Sequence, residues 1–580
     1  MAKKVLLGNE AIVRGALEAG VSFVTGYPGC PSAEIGEEFL RIAKKEGIYA
    51  EWATNEKVAL ESAIGASFSG LKSLINMKSF GINVCSDSLL PLAYTGVKAP
   101  MVIVVADDPS CHSSAQSEQD SRGYAFLSHI PVLEPADVQE CYEFTKLGFE
   151  ISEKFNIPVI LRTTTRVNHQ RAIVEFNEIA SSQAPRNDGN FVKNPHQFCT
   201  MPPRVLEMKK ELLEKMEKIK QFAEKSKINK IENSLKIGNS KLGIITSGVS
   251  YLYVKEALGE LGLNLPILKL GFFYPLPDKT VLKFIKGQKK VLVVEELNGY
   301  IENGIKIIAK DANLKTEILG KNVLPEIGEL NTEKIILALL KVLKLKIGKL
   351  ENSLKIESLC CNSAELSENL KLEIPRRFPK LCEGCPHLYT LAAIKRAAPE
   401  NTVFGGDIGC YMIAGYPPHN MQDYVFSMGS SMGISHGIVK ATSPAFAKAS
   451  AGKQKVISLI GDATFFHAGI QGLINMVYNK SNSLVVILDN RITAMTGHQP
   501  NPGMGKNGMG ETVEELKIED IVRACGVKHI KVLDPINVKE LEETVKDFLT
   551  KDEVSVIISK RICALLERRQ PKSESLQVVE

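Results

Sequence analysis

Residues 456–466 read VISLIGDATFF, and residues 484–490 read LVVILDN. Each is a run of aliphatic, largely β-branched residues that stops on polar side chains: Gly461 and Asp462 in the first, Asn490 in the second. The intervening HAGIQGLINMVYNK reads as one helix. Strand, helix, strand is the crossover unit of a parallel sheet, and it brings both strand ends to the same edge. Asp462 and Asn490 are therefore expected side by side. A carboxylate and an amide carbonyl are hard oxygen ligands suited to magnesium, which in turn clamps a diphosphate. Gly461 would let the backbone come close to phosphates. The competing reading is a plain turn, because Gly-Asp is common turn chemistry.

The same alternation of strand and helix continues on both sides. A last block from residue 374 to 580 adds VSVIISK as a further strand. A first block, 1–175, alternates SFVTG, MVIVVA and IPVILR with helical stretches such as EIGEEFLRIAKKEG. A middle block, 241–343, carries KLGIITSG, LPILKL and KKVLVVEEL. The expected fold class is α/β: three α/β domains with mostly parallel sheets. Residues 176–240 form a linker whose lysine- and glutamate-rich stretch LEMKKELLEKMEKIKQFAEKSKIN is expected to be a solvated connecting helix. A polar linker, 344–373, separates the middle and last blocks. ENSLKI occurs at both 232 and 351, a compositional coincidence rather than a repeat.

At 580 residues the chain is too long for one core. Its 44% hydrophobic and 24% charged residues describe a globular protein, not a disordered one. The net charge of +5 is small and its lysines are interleaved with acids, so nucleic acid is not an expected partner. No stretch reaches the ~18 uninterrupted apolar residues of a membrane span. The start, MAKKVLLGNEAIVRGAL, is not a signal peptide. A cytoplasmic setting is expected, and there the twelve cysteines would serve as thiols or metal ligands rather than disulfides.

Ligands collect at the carboxyl ends of strands in such sheets, which makes the turns GYPGCPS and DDPSCHSS site candidates. His112, Ser113, Ser114 and Gln116 in the second turn line a pocket or form a solvated loop. In ATNEKVALESAIGAS, Glu56 follows Thr54 and Asn55, good helix N-cap residues. An acid there, in apolar surroundings, has the raised pKa that proton transfer needs. It could equally just complement the helix dipole, and Glu61 is its local competitor. CEGCPH (382–387), with Cys410 in GGDIGC, fits a redox pair or part of a metal site, although a zinc site usually wants a second close pair.

The GD…N spacing resembles the diphosphate motif of thiamine diphosphate enzymes, with Ala463 where glycine is usual; a small residue still fits. RITAMTGHQPNPG, GYPGCPSAE, NEKVALESAIGAS, LCEGCPH, GGDIGCY, SMGSSMGISHG and GDATFFHAG together resemble the 2-oxoacid:ferredoxin oxidoreductase family, nearest its indolepyruvate branch, over most of the chain. The resemblance implies thiamine diphosphate-binding folds in the first (pyrimidine) and last (diphosphate) domains, with a transketolase-C-like domain between them. It implies Glu56 as the activating acid. It also implies magnesium on Asp462, Asn490 and a backbone carbonyl near Ile492, with Gly461, Ala463, Gly429 and Ser431 as further cofactor contacts. Cys30 and Ser32 would face the substrate carboxylate. Cys382, Cys385, Cys410 and Cys563 would hold a [4Fe–4S] cluster.

The implied activity is oxidative decarboxylation of aryl pyruvates, indolepyruvate-type 2-oxo acids, to aryl-acetyl-CoA. Electrons would pass to ferredoxin, and a smaller beta/gamma-type subunit would be the partner. The alternative is a non-oxidative thiamine diphosphate-dependent decarboxylase or carboligase, which has no use for four placed cysteines. Only 17 residues follow Cys563, none of them cysteine, whereas the indolepyruvate branch commonly continues into a ferredoxin-like module. The onward electron route is therefore expected on a partner, or in direct contact between ferredoxin and the cluster.

Overall fold

A computed structural model describes residues 2–53, 55–113, 116–176, 195–198, 204–233, 242–344, 380–423, 428, 429, 431, 432, 435, 439, 455–478 and 480–569. Thr54, Ser114, Cys199, Cys360, Cys361, the side chain of Glu61, the second ENSLKI, part of the first expected linker and nearly all of the second lie outside the described residues.

The chain is α/β, with mostly parallel sheets, as its periodicity predicts. In the last unit the strands run in the order Val403–Gly405, Val456–Gly461, Leu484–Asp489, Ser555–Lys560, His529–Leu533, all parallel. Val456–Gly461 and Leu484–Asp489 are buried along their whole length, because helices cover both faces of a parallel sheet. Gly461 is in register with Leu488, so Asp462 and Asn490 leave the sheet at the same edge.

The first unit holds a seven-stranded sheet among the described residues. Its order is Phe272–Tyr274, Val132–Leu133, Val159–Thr164, Met101–Asp107, Ser73–Lys78, Phe23–Gly26, Tyr49–Trp52. All are parallel except Phe272–Tyr274, which comes from the middle unit and pairs antiparallel with Val132–Leu133. The unit is tied off where Arg171–Phe176 pairs antiparallel with Ala2–Leu7. In the middle unit Lys230–Glu232, from the expected linker, pairs antiparallel at the edge of an otherwise parallel sheet.

The charged helix of that linker, Arg204–Lys225, is not simply solvated. Met208, Leu212, Met216, Ile219 and Ala223 are buried, and the last four join the core of the first unit. They recur every three or four residues, so one apolar stripe docks while the lysines and glutamates cover the rest. Among the described residues no helix is long and apolar enough to cross a membrane.

Candidate cofactor site

The carboxyl ends of the first and last sheets face each other across a cavity. The first unit contributes Tyr27, Cys30, Glu56 and Lys78 to its wall; the last contributes Cys410, Asp462 and Asn490.

Glu56 opens the helix Glu56–Phe68, directly after the edge strand Tyr49–Trp52. It is buried, and its Oε2 lies 3.0 Å from Nε2 of His467 in the last unit. His467 also packs against Tyr27, ring centroids 4.7 Å apart. Burial and the neighbouring Glu56 and Asp462 carboxylates push the Tyr27 phenol well above its ordinary pKa. His467 sits on a π-helical turn, Phe465–Gly469, inserted between Asp462–Thr464 and Ile470–Tyr478. The single helix expected there therefore carries a π-turn, a feature found mostly at functional sites. No sequence signal had singled out His467.

Asp462 and Asn490 do meet. Asp462 is buried, with Oδ2 accepting from Asn501 Nδ2 at 2.9 Å, and the amides of Ala463 and Ile492 also donate to its carboxylate. Asn490 Oδ1 accepts the Ile492 amide at 3.2 Å. Burial, with Asp489 beside it, raises the Asp462 carboxyl to about 7. A buried acid next to a second acid is poorly served by amides alone, and the carboxylate and carbonyl oxygens there fit a divalent cation. Beside Glu56, His467 Nδ1 is buried without a hydrogen-bond partner among the described residues.

Three of the expected contact groups are already engaged within the chain. Gly461 is not bare for phosphate: its amide donates to the Tyr411 hydroxyl at 2.8 Å, and a Cβ there would lie 2.8 Å from the Tyr411 ring. Glycine is required by an aromatic ring. The amides of Gly429 and Ser431 are likewise engaged, donating to the buried Asp407 carboxylate at 2.9 and 3.0 Å. Burial raises that carboxyl to about 6. Asp407 lies in the quoted GGDIGC, yet nothing local marked it as the anchor of that loop. Third, Ser32 is fully buried and turned from the cavity, its hydroxyl donating to the Gly29 carbonyl at 3.3 Å. Cys30 does line the cavity.

The second turn splits. Ser113 donates through Oγ to the Cys30 carbonyl at 3.3 Å and to Asp108 at 2.7 Å, bracing the first turn. His112 instead reaches Glu329 of the middle unit at 3.5 Å. Gln116 Nε2 lies 3.9 Å from Met412 Sδ, a weak contact across to the last unit.

Cys382, Cys385, Cys410 and Cys563 gather at one end of the last unit. Burial raises the Cys410 thiol to about 12, with the neighbouring Cys385, Cys563 and Cys382 adding to the shift; Cys385 rises to about 11, chiefly by burial. Among the described residues no three His, Cys, Asp or Glu side chains converge on a point that one metal ion could occupy. Four thiols at the corners of a cube stand farther apart than ligands around a single ion, so a cluster does not require that convergence. The two ends of the site are joined: the Cys563 amide donates to the Asn490 carbonyl at 3.1 Å, and His387 Nε2 lies 3.4 Å from Asn490 Nδ2.

Residues 407–559 match the family "Thiamine pyrophosphate enzyme, C-terminal TPP binding domain". Residues 14–231 match "Pyruvate flavodoxin/ferredoxin oxidoreductase, thiamine diP-bdg", and 234–368 match "Indolepyruvate oxidoreductase domain". The "Indolepyruvate oxidoreductase subunit IorA" of Methanothermobacter thermautotrophicus is 44% identical over 97% of this chain and 87% of its own length. That of Pyrococcus horikoshii is 42% identical over 99% and 88%. The chain therefore belongs to the IorA subunits of indolepyruvate oxidoreductase, a family of thiamine diphosphate-dependent oxidoreductases.

Proposed function

We propose that this chain is the catalytic subunit that converts aryl pyruvates and coenzyme A to aryl-acetyl-CoA, with electrons passed through a [4Fe–4S] cluster to ferredoxin. In this reading residues 1–175 bind the pyrimidine end of the cofactor, 241–343 form a transketolase-C-like domain, and 374–580 bind its diphosphate and the cluster. A smaller beta/gamma-type subunit is the partner, and the assembly works in the cytoplasm. The observation that carries the reading is that Cys410 lines the same cavity as Glu56, Asp462 and Asn490. A redox centre next to a decarboxylation site is what an oxidative enzyme needs and a non-oxidative one does not.

Asp462, the Asn490 amide oxygen and the carbonyl of Ile492 would hold magnesium and, through it, the diphosphate, with Ala463 leaving space at the strand end. Bound thiamine diphosphate supplies an electron sink for the carbon that loses carbon dioxide. Glu56 holds and moves a proton at the aminopyrimidine ring nitrogen, and His467 fixes one of its oxygens at 3.0 Å. Tyr27 and His467, packed together, help to keep water from Glu56. Cys382, Cys385, Cys410 and Cys563 would ligate the cluster as thiolates; binding iron removes the protons that burial otherwise retains.

Anaerobic purification followed by iron and acid-labile sulfide analysis tests the oxidative reading. About four of each per chain is expected; zinc or no metal would favour the non-oxidative alternative. Turnover of aryl pyruvates with coenzyme A and a viologen dye, in the presence of the partner subunit, tests the rest.

A further inference from the structure

Lys78 lines the candidate site and, among the described residues, has no counter-ion. It ends the strand Ser73–Lys78 and is the sole lysine or arginine among the described residues lining the cavity. Its stem packs against the YPG turn: a Cβ on Gly29 would stand 3.1 Å from both Cγ and Cδ of Lys78. Its charge is felt by Cys30.

The carboxylates near it are engaged elsewhere. Glu56 is bonded to His467. Asp108 accepts from the Ser113 amide and hydroxyl, both at 2.7 Å, and from the Thr165 hydroxyl at 2.5 Å. Among the described residues Lys78 forms no ion pair, and its Nζ lies 4.8 Å from the Phe80 ring centroid. An ammonium drawn out of water without an anion is unfavourable, so the arrangement is that of a site awaiting a negatively charged ligand.

We infer that Lys78 binds the carboxylate of the 2-oxo acid, holding it beside Cys30 on the first unit's side of the cavity. This rests on the thiamine-dependent reading above. The diphosphate is the competing anion, but in that reading its magnesium is held by Asp462 and Asn490, which line the cavity from the opposite unit. Because the carboxylate leaves as neutral carbon dioxide, this ion pair belongs to the bound acid and weakens toward the transition state. Its loss therefore falls on KM rather than kcat.

The test uses Lys78→Met and Lys78→Arg in the cofactor-loaded complex with its partner subunit. Calorimetric titration compares an arylacetate with the matching arylacetamide, the same shape without the charge. In Lys78→Met, arylacetate affinity is expected to fall on the order of 10- to 100-fold, arylacetamide and thiamine diphosphate affinities to hold, and KM for the 2-oxo acid to rise in parallel. Lys78→Arg is expected to keep most of the preference for the acid. A preference that survives in Lys78→Met overturns the assignment, as does an equal loss of thiamine diphosphate affinity, which would put the ammonium on the diphosphate. A wild-type complex that turns over no 2-oxo acid, yet loses arylacetate binding in Lys78→Met, upholds the anion site while sinking the reaction proposed around it.

Discussion

The first unit meets the rest of the chain on two faces built in opposite ways. Toward the middle unit the contact is sealed by a shared sheet and matched buried charges. Arg122, 1% exposed, bonds Asp120 at 2.7 Å, Glu295 at 2.8 Å and the Asn298 carbonyl at 3.0 Å. Arg162 pairs with Asp107 and Glu134, and Glu134 also accepts from Ser247 at 2.6 Å. Toward the last unit the direct polar contacts among the described residues are few, chiefly Glu56 to His467 and Gln499 to Glu37, and a cavity lies between the two units. On the middle face buried charge meets opposite charge within the chain; on the other, among the described residues, an ammonium forms no ion pair and a buried ring nitrogen has no hydrogen-bond partner. Matched charge marks the first as scaffold, and unmatched charge marks the second as the place for ligands.

That contrast can be broken most sharply at Glu56. Glu56→Gln is expected to lower turnover by roughly 10²–10⁴ while leaving urea unfolding cooperative; full activity in this variant would remove the proton role from Glu56. On the sealed face Arg122→Ala strands buried carboxylates and is expected to cost about 3–5 kcal/mol of stability, read as a lower urea midpoint. Its turnover per folded molecule should change little.

Gly461→Ala drives a Cβ into Tyr411 and should cost about 1–3 kcal/mol. The urea midpoint and thiamine diphosphate affinity would fall together, because Tyr411 and Asp462 flank the same strand end.

The smallest effect concerns pH. The Asp462 carboxyl is raised from 3.8 to about 7, so the folded chain holds this proton more tightly than the unfolded one. That contribution is full below pH 3.8, declines above it and is lost as pH passes about 7. Between pH 6 and 8 the metal-free protein should lose about 1.4 kcal/mol through this group. Asp462→Asn should flatten that slope. Magnesium with thiamine diphosphate should stabilise the wild type more at pH 8 than at pH 6, because the cation binds the ionised acid. Urea titrations at the two pH values check both.

Much of this was legible in the sequence where the information is local. Aliphatic runs ending in polar residues predict the parallel strands, and the strand–helix–strand spacing of Asp462 and Asn490 predicts their meeting. What escaped depends on partners far along the chain. Tyr411 reaches Gly461 from 50 residues away, and His467 meets Glu56 across 411. That Asp407 holds the amides of Gly429 and Ser431, and that the Ser32 hydroxyl turns back onto the Gly29 carbonyl, has no signature in the local sequence. The stripe from Met208 to Ala223 was readable by its spacing, but the density of charge around it suggested a solvated face.

The strand Phe272–Tyr274 has a consequence for dissecting the protein. A fragment cut at residue 231, where the first matched family stretch stops, would lack the last member of its own seven-stranded sheet and bare Val132–Leu133 as an open rim. Such rims recruit strands from other molecules. Autonomous expression of residues 1–231 should therefore yield aggregates, and chimeras that exchange this stretch between relatives must carry residues 272–274 along.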